Sequence, residues 1–194
     1  MLHFYERIDG FFNYEEVYDD IIKLVPEGQN EKFVEIGVWK GKSVSYAAVE
    51  IIKSEKNITI DAIDSWETAE GWTNERYLKE QLEVGDVYDI FLSNIEPVKH
   101  IIKPIRMTSD EASKLYEDES LFFVYIDGNH TYDFVKSDIL HWLPKVKKGG
   151  YIGGHDIDNT EWPGVRRAVN EMFGENIKTY SGSWSDSWLY HKEN

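Results

Sequence analysis

The chain contains no cysteine in 194 residues. Disulfides, thiolate zinc sites and cysteine nucleophiles are therefore excluded, and the lack of disulfides fits a reducing compartment. No stretch approaches the roughly 20 apolar residues that a membrane span needs. The opening residues MLHFYERIDGFF carry Glu6, Arg7 and Asp9 where a leader would have an apolar core, so no secretory signal is expected. A cytoplasmic protein without a membrane partner is the expectation. Basic residues are scarce as well: 21 Lys and Arg face 36 Asp and Glu, for a net charge of −15. Such a surface repels a nucleic-acid backbone and steers cations or neutral molecules inward, so no nucleic-acid partner is expected either.

What remains is a chain long enough for one domain with a sizeable core, without repeats or low-complexity tracts. Aromatics are plentiful, with seven Trp. Most belong to packing, but Trp66, Trp72 and Trp184 sit among Ser, Gly and Asp, a setting typical of pocket walls.

Hydrophobic spacing predicts an amphipathic helix over 14–25, ended by Pro26 and Gly28, and then strands alternating with helices. Strands are expected at 32–38, 58–64, 101–107, 121–127 and 151–157, with a closing pair at 177–182 and 187–192. Helices are expected at 39–54, 74–85, 87–96, 109–118 (Ser109 as N-cap), 133–150 (closed by Gly149 and Gly150) and 164–174. The run LFFVYID at 121–127 is nearly all apolar, as in a strand covered on both faces. The expected fold class is α/β: a Rossmann-like, doubly wound, mostly parallel seven-stranded sheet with an antiparallel edge and helices on both faces.

In such sheets ligands bind beyond the carboxyl ends of the strands, and here those positions are unusually polar. Glu35, Gly37 and Gly41 follow the first strand. A glycine turn lets a ligand approach backbone closely, although it also serves as a simple tight turn. It is not the G-x-G-x-x-G fingerprint, because Trp39 occupies the middle glycine position. Asp64 ends the second strand 27 residues after Gly37. It suits a ribose diol, or alternatively a helix cap. Asp127 ends the fourth strand, and His155 and Asp156 end the fifth. If those strands are neighbours, these three residues converge on one divalent ion, Mg²⁺ or Mn²⁺, with the imidazole favouring a somewhat softer metal. The plainer alternative is an Asp–His hydrogen bond that stiffens two loops. His130 lies three residues past Asp127, within reach of a substrate hydroxyl, and suits a general base. An exposed loop histidine without a role is the other reading.

The segments FVEIGVWKGKS, IDAIDSW and FVYIDGNHTYDFVKSDILHWLPKVKKGGYIGGHDI together resemble class I S-adenosylmethionine (SAM)-dependent methyltransferases. The last of them resembles the small-molecule O-methyltransferase branch that includes macrocin and mycinamicin sugar O-methyltransferases and cephalosporin hydroxylase-like proteins. The likeness spans residues 30–173. It implies one methyltransferase domain over 1–194, with 1–29 a helical lid segment and 65–100 an insertion able to act as a second lid. It also implies that Glu35, Gly37 and Gly41 meet the methionine part of SAM, and that Asp64, with Ser65 and Trp66 alongside, holds the ribose. Ser109 and Asp110 would contact the adenine. Asp127, His155 and Asp156 match metal positions, His155 standing where the branch commonly has an acidic residue, and His130 matches the base. The implied reaction is methyl transfer to a hydroxyl of a small polar acceptor, a sugar or diol; a homo-oligomer is compatible with it. An NAD-type Rossmann enzyme and a non-catalytic scaffold with this fold are the alternatives.

Overall fold

The computed structural model describes residues 1–67 and 86–193. The first helix, α1 (Glu15–Leu24), buries Val17, Tyr18, Ile21 and Ile22 along one stripe. Its last carbonyls are capped from a distance: Lys56 Nζ donates to the carbonyls of Ile22, Lys23 and Val25 at 2.9, 2.9 and 2.7 Å. A cation at a helix C-terminus also meets the negative end of its dipole. There follow β1 (Asn30–Ile36), α2 (Lys42–Ser54), β2 (Asn57–Asp64), α3 (Val87–Ile95) and β3 (Ile102–Arg106). The chain continues with α4 (Ser109–Ser113), β4 (Leu121–Ile126), α5 (Tyr132–Trp142), β5 (Val146–Gly154), α6 (Pro163–Phe173), β6 (Lys178–Tyr180) and β7 (Ser187–His191).

Among the described residues the strands form one sheet of seven, ordered β3-β2-β1-β4-β5-β7-β6. The first five are mutually parallel, and β7 runs antiparallel to both β5 and β6. Strand order reverses between β1 and β4. All six residues of β4 are buried, because helices cover both faces. Alternate side chains divide accordingly. Phe33 and Phe123 join α1, α2 and α3 in one core, while Val34 and Val124 join Ile139, Trp142 and Val169 of α5 and α6 in the other. The outer strands are short or interrupted: β3 carries Lys103, Pro104 and Arg106, and β6 is three residues long.

The fold is the expected one, with differences at element ends: α4 stops at Ser113 rather than at 118, and β5 spans Val146–Gly154 rather than 151–157. Helix α5 ends at Trp142 rather than at the glycine pair, since Pro144 cannot continue it. Gly149 and Gly150 lie inside β5, where Gly149 has φ +77° and the register against β4 shifts. The cap of α4 is Thr108, in a reciprocal capping box with Glu111, and not Ser109. The helix expected at 74–85, together with Trp72, falls outside the described residues. The N-terminal segment is fastened over α2 and the turn before it: His3 bonds Glu50 at 2.6 Å, Lys40 pairs with Asp9 at 2.8 Å, and Lys42 donates to the Gly10 carbonyl at 3.0 Å.

The switch between β1 and β4 depends on Gly37. Its φ is +85°, and a Cβ there would stand 2.2 Å from the Asp127 carbonyl oxygen. Gly28 has a similar φ of +74° but nothing within 4 Å. Gly37→Ala should therefore cost at least about 2 kcal/mol and lower the melting temperature by several degrees. Gly28→Ala should cost only the conformational part, about 1 kcal/mol. Thermal melts of both variants check this; equal losses would show that the close approach contributes nothing.

Candidate active site

The carboxyl ends of the parallel strands are laced together just beyond the regular ladder. Gly37 N donates to Ile63 O at 2.8 Å, Asp127 N to Ile36 O at 2.8 Å, Met107 N to Asp64 O at 3.1 Å and His155 N to Ile126 O at 3.2 Å. These bonds set the residues after β1, β2, β3, β4 and β5 in a row whose backbone is already fixed. A site built on such ends needs little reorganisation.

At the β4–β5 end, two carboxylates face two imidazoles. His130 Nε2 lies 3.3 Å from Asp127 Oδ1 and 2.9 Å from Asp156 Oδ2. His155 Nδ1 lies 3.8 Å from Asp127 Oδ1 and 3.3 Å from Asp156 Oδ2. Asp156 reaches both rings because its backbone adopts the left-handed region, with φ +61°, a conformation uncommon for a non-glycine residue. Burial works against charge on His130, but Asp127 and Asp156 outweigh it and hold the imidazole up at about 9. His155 is raised in the same way. Burial likewise opposes ionisation of Asp156, yet His130 and His155 hold its carboxyl well below the usual range.

The orientation of His155 is determined by a neighbour. Asn13 Nδ2 donates to the Ser185 carbonyl at 3.0 Å, which leaves Asn13 Oδ1 to accept from His155 Nε2 at 2.7 Å. Nδ1 is then the nitrogen turned toward the carboxylates. A neutral imidazole so placed would oppose a lone pair to Asp156 Oδ2, so a proton or a cation belongs between them. Metal-ligating histidines commonly donate their second nitrogen to an oxygen acceptor in this fashion. Asp127, His130 and Asp156 each offer a ligand atom, all within 4.8 Å of one another. The donor set thus fits a divalent ion, from three or four protein atoms. Tyr14 OH donates to Asp127 Oδ2 at 3.0 Å, turning Oδ1 toward the imidazoles.

At the β1–β2 end, the turn after β1 places Trp39 at φ +43° and Gly41 at φ +83°. Gly41 precedes α2 without a side-chain cap, so the amides of the first turn have no side-chain acceptor from that position. Asp64 binds the two turns together: Oδ2 accepts from Trp39 N at 2.9 Å and Oδ1 from Trp66 N at 2.8 Å. Burial pushes its carboxyl up, and the amides of Trp66 and Trp39 counter the shift. Trp66 Nε1 closes the loop by donating to Trp39 O at 2.7 Å. The glycine turn, the helix start and a half-buried carboxylate fit the ribose–methionine portion of a nucleotide-like cofactor.

Other predicted positions lie elsewhere. Glu35 is fully buried inside β1, with its carboxylate engaged by Tyr18 and Ser43. Ser65 Oγ accepts from Glu67 N at 3.3 Å, a local turn bond. Ser109 faces α5, where its hydroxyl meets Asp138 and accepts from Trp142 Nε1 at 2.8 Å. Asp110 is exposed and pairs with Lys114 at 2.8 Å and His141 at 3.3 Å. Asn13 and Tyr14 are contributors that sequence reasoning missed. They lie 142 and 113 residues from their partners, and no local pattern links the start of the first helix to the fourth and fifth strands.

Known proteins supply the context. A family model described as a methyltransferase domain matches residues 34–157, from within β1 to just past the β5 end of the cluster. The chain belongs to the methyltransferase-domain family. Its fold is that of class I SAM-dependent methyltransferases. Rv0187 from MTB, solved with its cofactor bound, aligns with a TM-score of 0.67 at 12% identity, over 96% of this chain and 84% of that one. CalS11, a TDP-rhamnose 3′-O-methyltransferase of calicheamicin biosynthesis, aligns with a TM-score of 0.60 at 17% identity, over 91% and 77% of the two chains. Among curated sequences, the uncharacterized protein R132 of Acanthamoeba polyphaga mimivirus is 29% identical over 148 residues, 74% of this chain. This methyltransferase-family chain spans 59% of that relative and 14% of a second, longer one. Among the described residues no helix is long and apolar enough to cross a membrane.

Glu35 gives this family member a measurable pH dependence. Burial raises its carboxyl from 4.5 to about 8, with Ser43 and Tyr18 opposing the shift. The unfolded chain releases this proton near pH 4.5, whereas the folded chain keeps it to about pH 8. Its contribution to stability is therefore complete below the lower value and is lost as pH rises toward the upper one, by up to about 1.4 kcal/mol per pH unit. Glu35→Gln should melt at a temperature that rises relative to the parent between pH 5 and pH 8. Parallel melting curves across that range would contradict the assignment.

Proposed function

We propose that this protein is a SAM-dependent methyltransferase that transfers a methyl group to a hydroxyl of a small polar acceptor, a sugar or diol, assisted by a divalent ion, Mg²⁺ or Mn²⁺, and by His130. The observation that carries the reading is that one row of strand ends holds both a glycine turn tied to Asp64 and a carboxylate–imidazole cluster. When bound, SAM supplies an electrophilic methyl on a sulfonium, and the ion favours the deprotonated form of a hydroxyl beside it.

The chain's own groups have the following roles. The Asp64 carboxylate accepts from the backbone amides of Trp39, Trp66 and Ser65 and would still have lone-pair capacity for a ribose hydroxyl. Gly37 and Gly41 present backbone to the methionine portion and Ser65 borders the ribose, whereas Trp66, expected as a pocket wall, has its ring buried against Tyr88 and Phe91 and supports Asp64 through its amide. Glu35 acts on this turn from behind, through Ser43 at the start of α2. On the adenine side the reading keeps Asp110 and the backbone of Ser109, whose hydroxyl is engaged by α5. Asp127, His155 and Asp156 would hold the ion, with Nδ1 of His155 aimed by Asn13. Without a cation His130 is held protonated by Asp127 and Asp156, so its Nε2 would take the proton from the acceptor hydroxyl only once an ion replaces that proton against the two carboxylates. Transfer then depends on alignment of oxygen and methyl more than on covalent chemistry, which suits groups fixed on strand ends.

Calorimetry with S-adenosylhomocysteine should give a clear binding heat, and Asp64→Ala should weaken it at least about tenfold, the equivalent of one charge-assisted hydrogen bond. Absence of any heat with the parent protein would defeat the methyltransferase reading. For the ion, turnover should disappear in excess chelator and return with Mg²⁺ or Mn²⁺. Full turnover in chelator would remove the metal while leaving methyl transfer intact.

A further inference from the structure

The imidazole of His155 is held from three sides. Its side chain is buried, with Tyr14 against the ring at 5.1 Å and 46° and Trp184, from the loop between β6 and β7, nearly edge-on at 4.8 Å and 76°. The third contact is the bond from Nε2 to Asn13 Oδ1, and Asn13 is itself clasped. Its Nδ2 donates to the Ser185 carbonyl, and a Cβ on Gly182 would stand 2.3 Å from that nitrogen and 2.0 Å from that carbonyl oxygen. Turning the ring over would set a carbon against Asn13 Oδ1. Nδ1 is therefore a fixed donor directed at the carboxylates.

The carboxylates are held as firmly, and each has one oxygen left to offer. Asp127 Oδ2 accepts from Tyr14 OH at 3.0 Å, and Asp156 Oδ1 accepts from Asn159 Nδ2 at 2.8 Å. Asn159 is kept in place in turn, because its Oδ1 accepts from Glu161 N at 3.0 Å. Asp127 Oδ1 and Asp156 Oδ2 are the oxygens that face the imidazoles, and they stand 3.8 and 3.3 Å from His155 Nδ1. Neighbouring ligand atoms around one ion, with bonds of about 2.1 Å, lie about 3.0–3.4 Å apart. The three atoms are close to that spacing.

The chain so offers two single carboxylate oxygens and one nitrogen whose place no oxygen of the cluster can take. Mg²⁺ demands oxygen ligands in a near-ideal octahedron and gives up its waters reluctantly. Imidazole nitrogen suits transition ions, and the affinity of a mixed N/O site rises from Mn²⁺ toward Cu²⁺. A nitrogen free to swing aside would leave the choice of ion open. This one is locked by Asn13, so the ion must accept it.

We infer that His155, aimed by Asn13, sets the ion preference of the site, toward a divalent transition ion, Mn²⁺ through Zn²⁺, and away from Mg²⁺. The inference rests on the ion-assisted reading above and narrows its ion. The test titrates the chelator-treated full chain with Co²⁺ and with Mg²⁺ by calorimetry, and examines the Mn²⁺-loaded chain by pulsed EPR. Coupling to a bound imidazole nitrogen should be present in the parent and in His130→Gln and absent in His155→Asp. His155→Asp should also lower the ratio of Co²⁺ to Mg²⁺ affinity at least about tenfold. Should that variant melt early, Asn13→Ala carries the test, since it keeps Nδ1 and removes its aim. Co²⁺ affinity should then fall about tenfold, with Mg²⁺ affinity changed less than about twofold. Nitrogen coupling that is missing in the parent or survives in His155→Asp, an unchanged affinity ratio, or an unchanged Co²⁺ affinity in Asn13→Ala overturns the inference alone. A parent protein that binds none of the three ions overturns it and removes the ion from the reading above, whereas the titration with S-adenosylhomocysteine decides the methyltransferase reading separately.

Discussion

The contact on which the strand-end architecture depends is the one between Gly37 and the Asp127 carbonyl. Strands β1 and β4 are neighbours at the point where strand order reverses, and their outgoing loops must diverge there. They diverge from close contact, since even a Cβ on Gly37 would stand 2.2 Å from the Asp127 carbonyl oxygen. One loop leads to the turn before α2 and to Asp64. The other leads to Asp127 and His130. The glycine turn and the charged cluster so become two sides of one feature, and a side chain on Gly37 would press against the Asp127 carbonyl between them.

Charge inside the molecule is handled in more than one way. The buried carboxylates of Glu31 and Asp61 are paired with Lys147 and Lys32, whereas burial makes Glu35 keep its proton to about pH 8 and Asp138 to about pH 6. In the cluster the opposite solution is adopted. Asp156 stays ionised because two imidazoles face it, and those imidazoles hold their protons because carboxylates face them. Desolvation of isolated charges is expensive, whereas a compensated group of four can remain ionic. The result is a site whose charge is stored as exchangeable protons, and it lies in a protein with a net charge of −15.

Most of the fold was legible in the sequence, because alternation of apolar strands with amphipathic helices leaves few architectures open. That the polar residues following LFFVYI and YIGG come together was legible for the same reason, because the alternation makes β4 and β5 neighbours in the sheet. What escaped was tertiary in origin. Nothing local distinguishes Asn13 or Tyr14 from ordinary residues at a helix start, although one aims His155 and the other turns Asp127. The cap of α4 was misplaced by one residue because Thr108 and Ser109 are both competent caps, and only the reciprocal bond to Glu111 decides between them. The end of α5 was misjudged by giving Gly149–Gly150 more weight than Pro144. Ser109 shows the limit of motif transfer: its position after β3 is as expected, yet its hydroxyl belongs to the Asp138–Trp142 network on the helix side.

The borders of the sheet carry a consequence of their own. At one border β3 has a proline, which cannot donate to a further strand, between two basic residues. At the other, β6 offers only three residues, and Lys178 there is drawn toward Asp20. Neither border is a template for another chain's backbone. Among the described residues the sheet has seven strands, and both of its borders discourage strand addition, which leaves helices and loops as the better surfaces for association between copies.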